Sequence, residues 1–72
     1  MKKVAVILAD GFEEIEALTS VDVLRRAGAI ASIASLKDVQ IRGAHNISVK
    51  ADVTLREVEE LGYDAIVLPG GL

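Results

Sequence analysis

The sequence predicts an α/β fold built on a parallel sheet, and three features of the 72-residue chain lead to that prediction. Val4–Leu8 is an unbroken apolar run, Glu13–Ala27 has an amphipathic helical pattern, and Ile30–Leu36 is a second apolar run. Strands that alternate with helices in this way form right-handed crossovers within a parallel sheet. A third apolar run, Ala65–Leu68, adds a further main strand.

The first strand and the first helix have the clearest patterns. Val4–Leu8 shows no polar alternation and is rich in β-branched residues, which is typical of a strand covered on both faces. In the helix that follows, Ala17, Val21 and Leu24 fall on one stripe, and Asp22 lies on the opposite side. We therefore expect this helix to pack against one face of the sheet.

Residues that favour helix ends bound both predicted helices. Asp10 and Glu13 have the spacing of a capping box at the start of the first helix, and Gly28 suits the position after its end. Thr54 and Glu57 repeat the capping-box spacing ahead of a short second helix. The sequence thus predicts a side-chain cap at both helix starts.

The predicted strand order marks one edge of the sheet as a candidate binding site. In a doubly wound sheet of order 2-1-3, Val4–Leu8 lies between Ile30–Leu36 and Ala65–Leu68. The carboxyl ends of the first and third main strands then meet at a topological switch point, where such folds bind ligands. A small hairpin is predicted in addition, from Val39–Ile41 and Ile47–Val49.

Composition and charge exclude several classes of protein. The chain is 51 % hydrophobic and 26 % charged with a net charge of −3, so it should fold, and its acidic balance disfavours binding to nucleic acid. It has no Cys and one His, which excludes a disulfide framework and a Cys/His zinc site. No apolar run reaches the ~18 residues of a membrane span, and no signal peptide is recognisable, so we expect a cytoplasmic protein without a membrane partner.

Three acidic residues open the first helix, and Glu16 is the candidate for chemistry among them. The helix dipole alone accounts for carboxylates at Glu13 and Glu14. Glu16 instead lines up with Ser20 and Val23 along the edge of the apolar stripe, where we expect it to be partly buried. This argument leaves open whether Glu16 serves function or structure.

Two turns with glycine lie at the predicted switch point. Asp10 and Gly11 follow the first strand, and Gly70 and Gly71 follow the third main strand. An ordinary turn accounts for the second pair, but a glycine there also lets a backbone N–H approach a ligand or a developing oxyanion. His45 lies in the hairpin turn, where a surface position is the simpler interpretation.

Two other uses of such a sheet are disfavoured. A phosphoacceptor receiver domain needs an acceptor carboxylate at the end of the third strand, where Leu68 and Pro69 stand instead. A dinucleotide-binding domain needs a glycine-rich fingerprint after the first strand, and none is present. The sequence therefore predicts neither a cofactor nor a metal site.

Several segments of the chain occur in an order that belongs to a known family: residues 4–17, 21–28, 43–47, 51–52 and 63–71. The most specific is Gly-Phe-Glu-Glu-Ile-Glu at 11–16, followed by Pro-Gly-Gly at 69–71. Over its whole length the chain resembles the ThiJ/PfpI family, in the branch of the Parkinson-linked deglycase and its bacterial relatives.

The resemblance implies a flavodoxin-like α/β sandwich with a site built around a Cys on a strained strand-to-helix turn. By position in the motif, Glu16 looks like the family's protonated Glu beside that Cys, and Gly71 like the residue whose backbone N–H faces the substrate. Asp10, Gly11 and Gly70 would line the substrate. Because the 72 residues contain no Cys, the chain alone is expected to be inactive.

What the resemblance implies about function is divided between an enzyme and a sensor. The first interpretation is a cofactor-independent enzyme of the glyoxalase or deglycase kind that acts on small reactive carbonyl compounds and forms a homodimer. The alternatives are a redox-sensing, chaperone-like protein on the same scaffold and an intracellular peptidase. Residues 1–72 are expected to be the N-terminal part of one domain of this family, with the remainder outside the sequence.

Overall fold

The computed structural model describes residues 2–70 of the chain. Across these residues, strands and helices alternate in the order that the sequence predicts. The elements are β1 (Lys3–Leu8), α1 (Glu14–Arg26), β2 (Ile30–Ser35), β3 (Gln40–Arg42), β4 (Ser48–Lys50), β5 (Val53–Thr54), α2 (Leu55–Leu61) and β6 (Ala65–Val67).

The main sheet is parallel, with the strand order β5-β2-β1-β6. Strand β1 is central, since Val4 lies opposite Ala31 of β2 on one side and opposite Ala65 of β6 on the other. The predicted 2-1-3 order of the three main strands is therefore confirmed. Strand β5 is an addition of only two residues, too short to show a periodic pattern in the sequence.

Each face of the sheet carries its own cluster of buried side chains. On the α1 face the cluster brings together residues from β1, α1, β2 and the hairpin: Val6, Leu8, Phe12, Ala17, Val21, Ala31, Ile41 and Ala51. On the opposite face, Val58 of α2 packs against Ala5 and Ala34. The apolar stripe predicted for α1 is confirmed, because Ala17 and Val21 are buried and Leu24 packs against their cluster.

The end of α1 has the predicted glycine. Gly28 has φ of 92° and its N–H donates to the carbonyl of Arg25 at 3.1 Å, while the N–H of Ala29 donates to the carbonyl of Leu24 at 3.0 Å. These two bonds form a Schellman motif, which satisfies carbonyls that the last helical turn would leave unpaired.

The predicted capping box at the start of α1 is wrong. Glu13 itself is the N-cap, it makes no side-chain cap bond, and the helix begins at Glu14. The Asp10 carboxylate points elsewhere, because its Oδ1 accepts a hydrogen bond from the N–H of Arg42 at 3.0 Å. A long-range partner on the hairpin thus takes the side chain that local spacing had assigned to the helix.

The capping box of α2 is confirmed. The Thr54 hydroxyl accepts from the N–H of Glu57 at 3.3 Å, and the Glu57 carboxylate accepts from the N–H of Thr54 at 3.0 Å. The helix ends at Gly62, whose φ of 71° suits a residue without a Cβ.

The predicted hairpin is present as β3 and β4, each shifted one residue toward the C-terminus. Ile41 lies opposite Val49 in the antiparallel pair, and Ile41 is buried on the α1 face of the sheet.

Within residues 2–70, the longest helix is α1 with 13 residues, and no helix is both long and apolar enough to cross a membrane.

Candidate functional site

An open cavity of about 250 Å³ lies at the switch point, where β1 and β6 end side by side. Its lining is mostly apolar and comes from β1, the loop after it, the end of β2 and the residues after β6: Ile7, Ala9, Phe12, Leu36, Leu68, Pro69 and Gly70. The predicted ligand-binding edge therefore coincides with a cavity in the described chain.

Glu16 lies against Gly70, one of the residues that line this cavity. A Cβ placed on Gly70 would collide with Oε1 of Glu16 and would stand 3.4 Å from its Cδ, so the carboxylate lies directly against the Gly70 backbone. The backbone supports this approach, because the N–H of Glu13 donates to the carbonyl of Gly70 at 3.1 Å. The first turn of α1 and the residues after β6 are thus held together at the switch point.

The expected partial burial of Glu16 is wrong for the described residues, in which its side chain is exposed. The Ser20 hydroxyl donates to the backbone carbonyl of Glu16 at 2.8 Å and leaves the carboxylate uncovered. Its contact, Gly70, follows β6, which is the edge strand of the described sheet.

Asp10 and Gly11 lie at the carboxyl end of β1, as predicted, but their polar groups face the hairpin. The N–H of Gly11 donates to the carbonyl of Arg42 at 2.8 Å, and Asp10 accepts from the N–H of the same residue. Gly11 has φ of 91°, which turns the chain away from the strand at this point. Gly71, the predicted oxyanion-facing residue, lies outside the described residues.

A buried carboxylate, Glu14, forms a cluster that the sequence did not predict. Its side chain is only 5 % exposed, and its Oε2 accepts from the N–H groups of His45 at 2.7 Å and Ile47 at 3.3 Å. Its Oε1 lies 2.8 Å from Nδ1 of His45, and Glu13 Oε1 lies 3.6 Å from the same nitrogen. Gly43 packs so closely on the Glu14 side chain that a Cβ there would lie 2.6 Å from Cγ.

The cluster fixes the charges of both partners. Burial works to raise the pKa of Glu14, but hydrogen bonds from the His45 ring and from backbone N–H groups, including those of His45 and Ile47, lower that pKa to about 2. The hydrogen bond and negative charge of Glu14, with the charge of Glu13, raise the pKa of His45 above its usual 6.5 despite partial burial of the ring.

The side chains of Glu13, Glu14 and His45 are close enough to share a cation, since their ligand atoms lie within 4.8 Å of one another. The oxygens of Glu14, however, already accept two backbone hydrogen bonds and face the His45 ring. Hydrogen bonding therefore accounts for the cluster without a metal.

The sequence does not predict this cluster because Glu14 and His45 lie far apart along the chain. Glu14 and His45 are 31 residues apart, and neither belongs to a local spacing pattern that predicts their contact. Glu14 was assigned to the helix dipole and His45 to the surface; the His45 side chain is indeed 68 % exposed, but its Nδ1 is bound. A glycine at 43, two residues before the histidine, is the one signal of close packing there.

Comparison with known proteins gives a consistent family. Residues 2–72 match the DJ-1/PfpI family. The chain is 44 % identical over 71 residues to protein DJ-1 homolog B of Arabidopsis thaliana, which covers 97 % of this chain and 16 % of that protein. It is 38 % identical over 73 residues to Parkinson disease protein 7 homolog of Danio rerio, covering 99 % and 39 %. A deglycase of Thermococcus kodakarensis is 36 % identical over 69 residues, covering 96 % and 42 %.

Solved structures agree with the sequence comparison. The oxidised DJ-1 of Toxoplasma gondii superimposes with a TM-score of 0.93 and 44 % identity, covering all of this chain and 40 % of that one. Drosophila melanogaster DJ-1beta gives a TM-score of 0.92 and 39 % identity, covering 99 % and 39 %. The chain thus spans 16 % to 42 % of the length of the curated relatives named above.

The parallel sheet and the cavity at its switch point define a flavodoxin-like α/β fold. Within that class, the match over residues 2–72 and the relatives at about 40 % identity are specific. The chain belongs to the DJ-1/PfpI family.

Proposed function

We propose that the chain is part of an enzyme that converts small reactive carbonyl compounds, of the methylglyoxal type, without a cofactor. The observation that carries the proposal is the Glu16 carboxylate held against Gly70 beside the open, apolar cavity at the switch point. A carboxyl group in such a place can exchange a proton with a bound aldehyde. The name of the Thermococcus relative, a deglycase, supports the same kind of substrate.

The proposed chemistry needs a thiol that the 72 residues do not contain, since they include no Cys. A cysteine thiolate from a further segment would add to the carbonyl carbon and form a C–S bond, while the C=O electron pair moves to oxygen. Glu16 would donate its proton to that oxygen, and the Gly71 N–H would stabilise the developing charge. Gly70 would line the bound substrate, whereas Asp10 and Gly11, which are hydrogen-bonded to Arg42, would hold the loop after β1 in place beside it.

This proposal includes a longer domain, of which residues 1–72 form the N-terminal part. Two observations support it. The chain spans 38 % of Drosophila dj-1beta and 39 % of the Danio relative. In addition, Ile66 of β6 is 56 % exposed and Leu68, just after β6, is 75 % exposed, as expected where further elements cover the edge of a sheet. The cytoplasm remains the proposed location.

The proposed assembly is a homodimer that uses α1. The helix buries Ala17 and Val21 on the sheet but leaves Ile15 77 % exposed and Val23 56 % exposed. A contiguous exposed apolar patch marks an interface between protein chains, and the proposed dimer would make one from these side chains. No nucleic-acid or membrane partner is proposed.

A redox sensor on the same scaffold is the second candidate. The Toxoplasma relative has been solved in an oxidised form, which supports oxidation chemistry in the family. A sensor would use the same pairing of Glu16 with a cysteine, because a carboxyl group beside a thiol can hydrogen-bond its oxidised forms.

The two candidates are separated by an assay on the full-length protein. We expect it to consume methylglyoxal through repeated turnovers and to lose this activity after its thiol is alkylated with iodoacetamide. No consumption by the untreated protein, or undiminished consumption after alkylation, would contradict the enzyme. A thiol that peroxide oxidises stoichiometrically in a protein without turnover would favour the sensor.

A further inference from the structure

The end of β3 and the loop that follows it are hydrogen-bonded to the loop between β1 and α1. The N–H of Gly11 donates to the carbonyl of Arg42, and the N–H of Ala44 donates to the carbonyl of Phe12, each at 2.8 Å. Phe12 and Gly43 also form an isolated parallel bridge. The hairpin therefore determines where the chain enters α1.

At the end of this contact, the hairpin holds the first turn of α1 by a side chain. Glu14 begins the helix, is buried, and receives three hydrogen-bonding groups from the hairpin: two backbone N–H groups and Nδ1 of His45. Glu16 belongs to the same turn and lies against Gly70 at the cavity. A displacement of Glu14 would therefore move Glu16 relative to the switch point.

We propose that His45 is a positioning residue, which acts through Glu14 to hold the Glu16 carboxylate at the switch-point cavity. The role rests on the proposed function, since it concerns the group that would exchange a proton with the substrate. Among the described residues, the side-chain contacts of His45 are to Glu14 and Glu13, whereas the side chain against Gly70 is that of Glu16.

The chemistry of the histidine makes this support depend on pH. Within the described chain, the charged groups that face its ring are Glu14 and Glu13, both carboxylates at the start of α1. A protonated ring makes a charge-assisted hydrogen bond to Glu14, and a neutral ring makes a weaker one. The first turn of α1 is thus held most firmly when His45 is protonated, and less firmly as the pH rises above its raised pKa.

Kinetics of the full-length protein test the role. We expect His45→Ala to lower kcat for methylglyoxal by roughly tenfold with KM nearly unchanged, because a small misplacement of a catalytic group slows the chemical step. His45→Arg, which stays charged, should restore kcat and remove the part of the pH dependence that His45 causes. Arg56→Gln on α2 removes a positive charge elsewhere and should behave like the wild type.

An amide-exchange measurement keeps the result separate from the proposed function. In His45→Ala, hydrogen exchange should become faster at the amides of the first turn of α1, such as Ala17, whose N–H donates to the carbonyl of Glu13. The faster exchange is expected whether or not Glu16 is catalytic. A Glu16→Gln variant with unchanged kcat for methylglyoxal would instead count against the proposed function alone. Unchanged exchange and kcat in His45→Ala, or His45→Arg behaving like His45→Ala, would overturn the positioning role.

Discussion

Single residues at the switch point act through contacts that span the chain. Glu16 is placed by Gly70, which is 54 positions away, and Glu14 by a histidine 31 residues away. These contacts make two kinds of test available: titration of the Glu14–His45 pair, and substitution of the glycines that allow the close approaches.

The Glu14–His45 pair predicts a stability window in pH. The pKa of Glu14 is lowered from 4.5 to about 2, so its contribution is complete above pH 4.5 and is lost as the pH falls toward 2. The pKa of His45 is raised from 6.5, so its contribution is complete below pH 6.5 and is lost as the pH rises through the folded value.

Urea unfolding of the full-length protein can check this window. The difference in midpoint between the wild type and Glu14→Gln should be largest between pH 4.5 and 6.5 and should shrink on both sides. Glu59→Gln, on the exposed side of α2, is a matched control. A difference that does not vary with pH would contradict the assigned pKa directions.

Gly70→Ala should separate activity from stability. The added Cβ meets the end of the flexible Glu16 side chain, which can swing away, so the free energy of unfolding should change by only about 0.5 kcal/mol. The displaced carboxylate should lower kcat by roughly 10²-fold.

The matched variant is Gly43→Ala, whose Cβ would meet the buried Glu14 carboxylate. That side chain is held by the hairpin and cannot move freely, so the change should destabilise the protein by roughly 1–3 kcal/mol. Thermal unfolding measures the loss of stability in Gly43→Ala and Gly70→Ala, and steady-state kinetics measures their loss of kcat. Equal losses of stability in the two would argue against the described contact between Glu16 and Gly70.

At the scale of elements, the sequence predicted correctly those strands, helices and helix ends that depend on neighbouring residues. The β1 run, the Ala17–Val21 stripe, the Gly28 helix end and the Thr54 cap all depend on residues a few positions apart, and all are confirmed. The Asp10 cap failed because Arg42, a residue 32 positions away, offers its N–H instead. A short-range sequence pattern cannot show that the N–H of Arg42 competes with the helix start for the Asp10 carboxylate.

The α2 cap gives an element-scale prediction. Thr54→Ala removes the hydroxyl that accepts from the N–H of Glu57, and it should lower the free energy of unfolding by about 1 kcal/mol. Glu60→Ala, at an exposed position inside α2, should change stability by less than about 0.5 kcal/mol. Chemical denaturation of the full-length variants measures both. A Thr54→Ala protein as stable as the Glu60→Ala protein would contradict the capping box.

The candidate site could be predicted only in part. The strand order predicted the switch point, which the sheet confirms. The motif predicted Glu16 and Gly70 as site residues; the structure shows that they are in contact, and their role in function stays a prediction. The burial of Glu14 depends on the packing of the hairpin on the loop after β1. That packing depends on three-dimensional contacts and not on helical periodicity.

At the scale of the whole molecule, the exposed face of α1 predicts dimerisation of the full-length protein. Ile15→Arg should weaken the dimer, because it places a charge where an apolar side chain would be buried. Light scattering at micromolar concentration should give twice the monomer mass for the wild type and a lower mass for the variant. Arg56→Gln serves as the control. A monomeric wild type would contradict the proposed interface.

We propose that the Glu16 carboxyl group exchanges a proton with the bound substrate at the switch point, while a cysteine from a further segment attacks the carbonyl carbon of that substrate. The most direct measurement is kcat for methylglyoxal in Glu16→Gln and Glu13→Gln forms of the full-length protein. Both substitutions are nearly isosteric and lie at the start of α1. Glu16 contacts Gly70 through its side chain, whereas Glu13 contacts it through its backbone N–H, which the substitution leaves in place. We expect a ~10²–10⁴-fold loss for Glu16→Gln and a change within about twofold for Glu13→Gln. Equal activities in the two variants would contradict it.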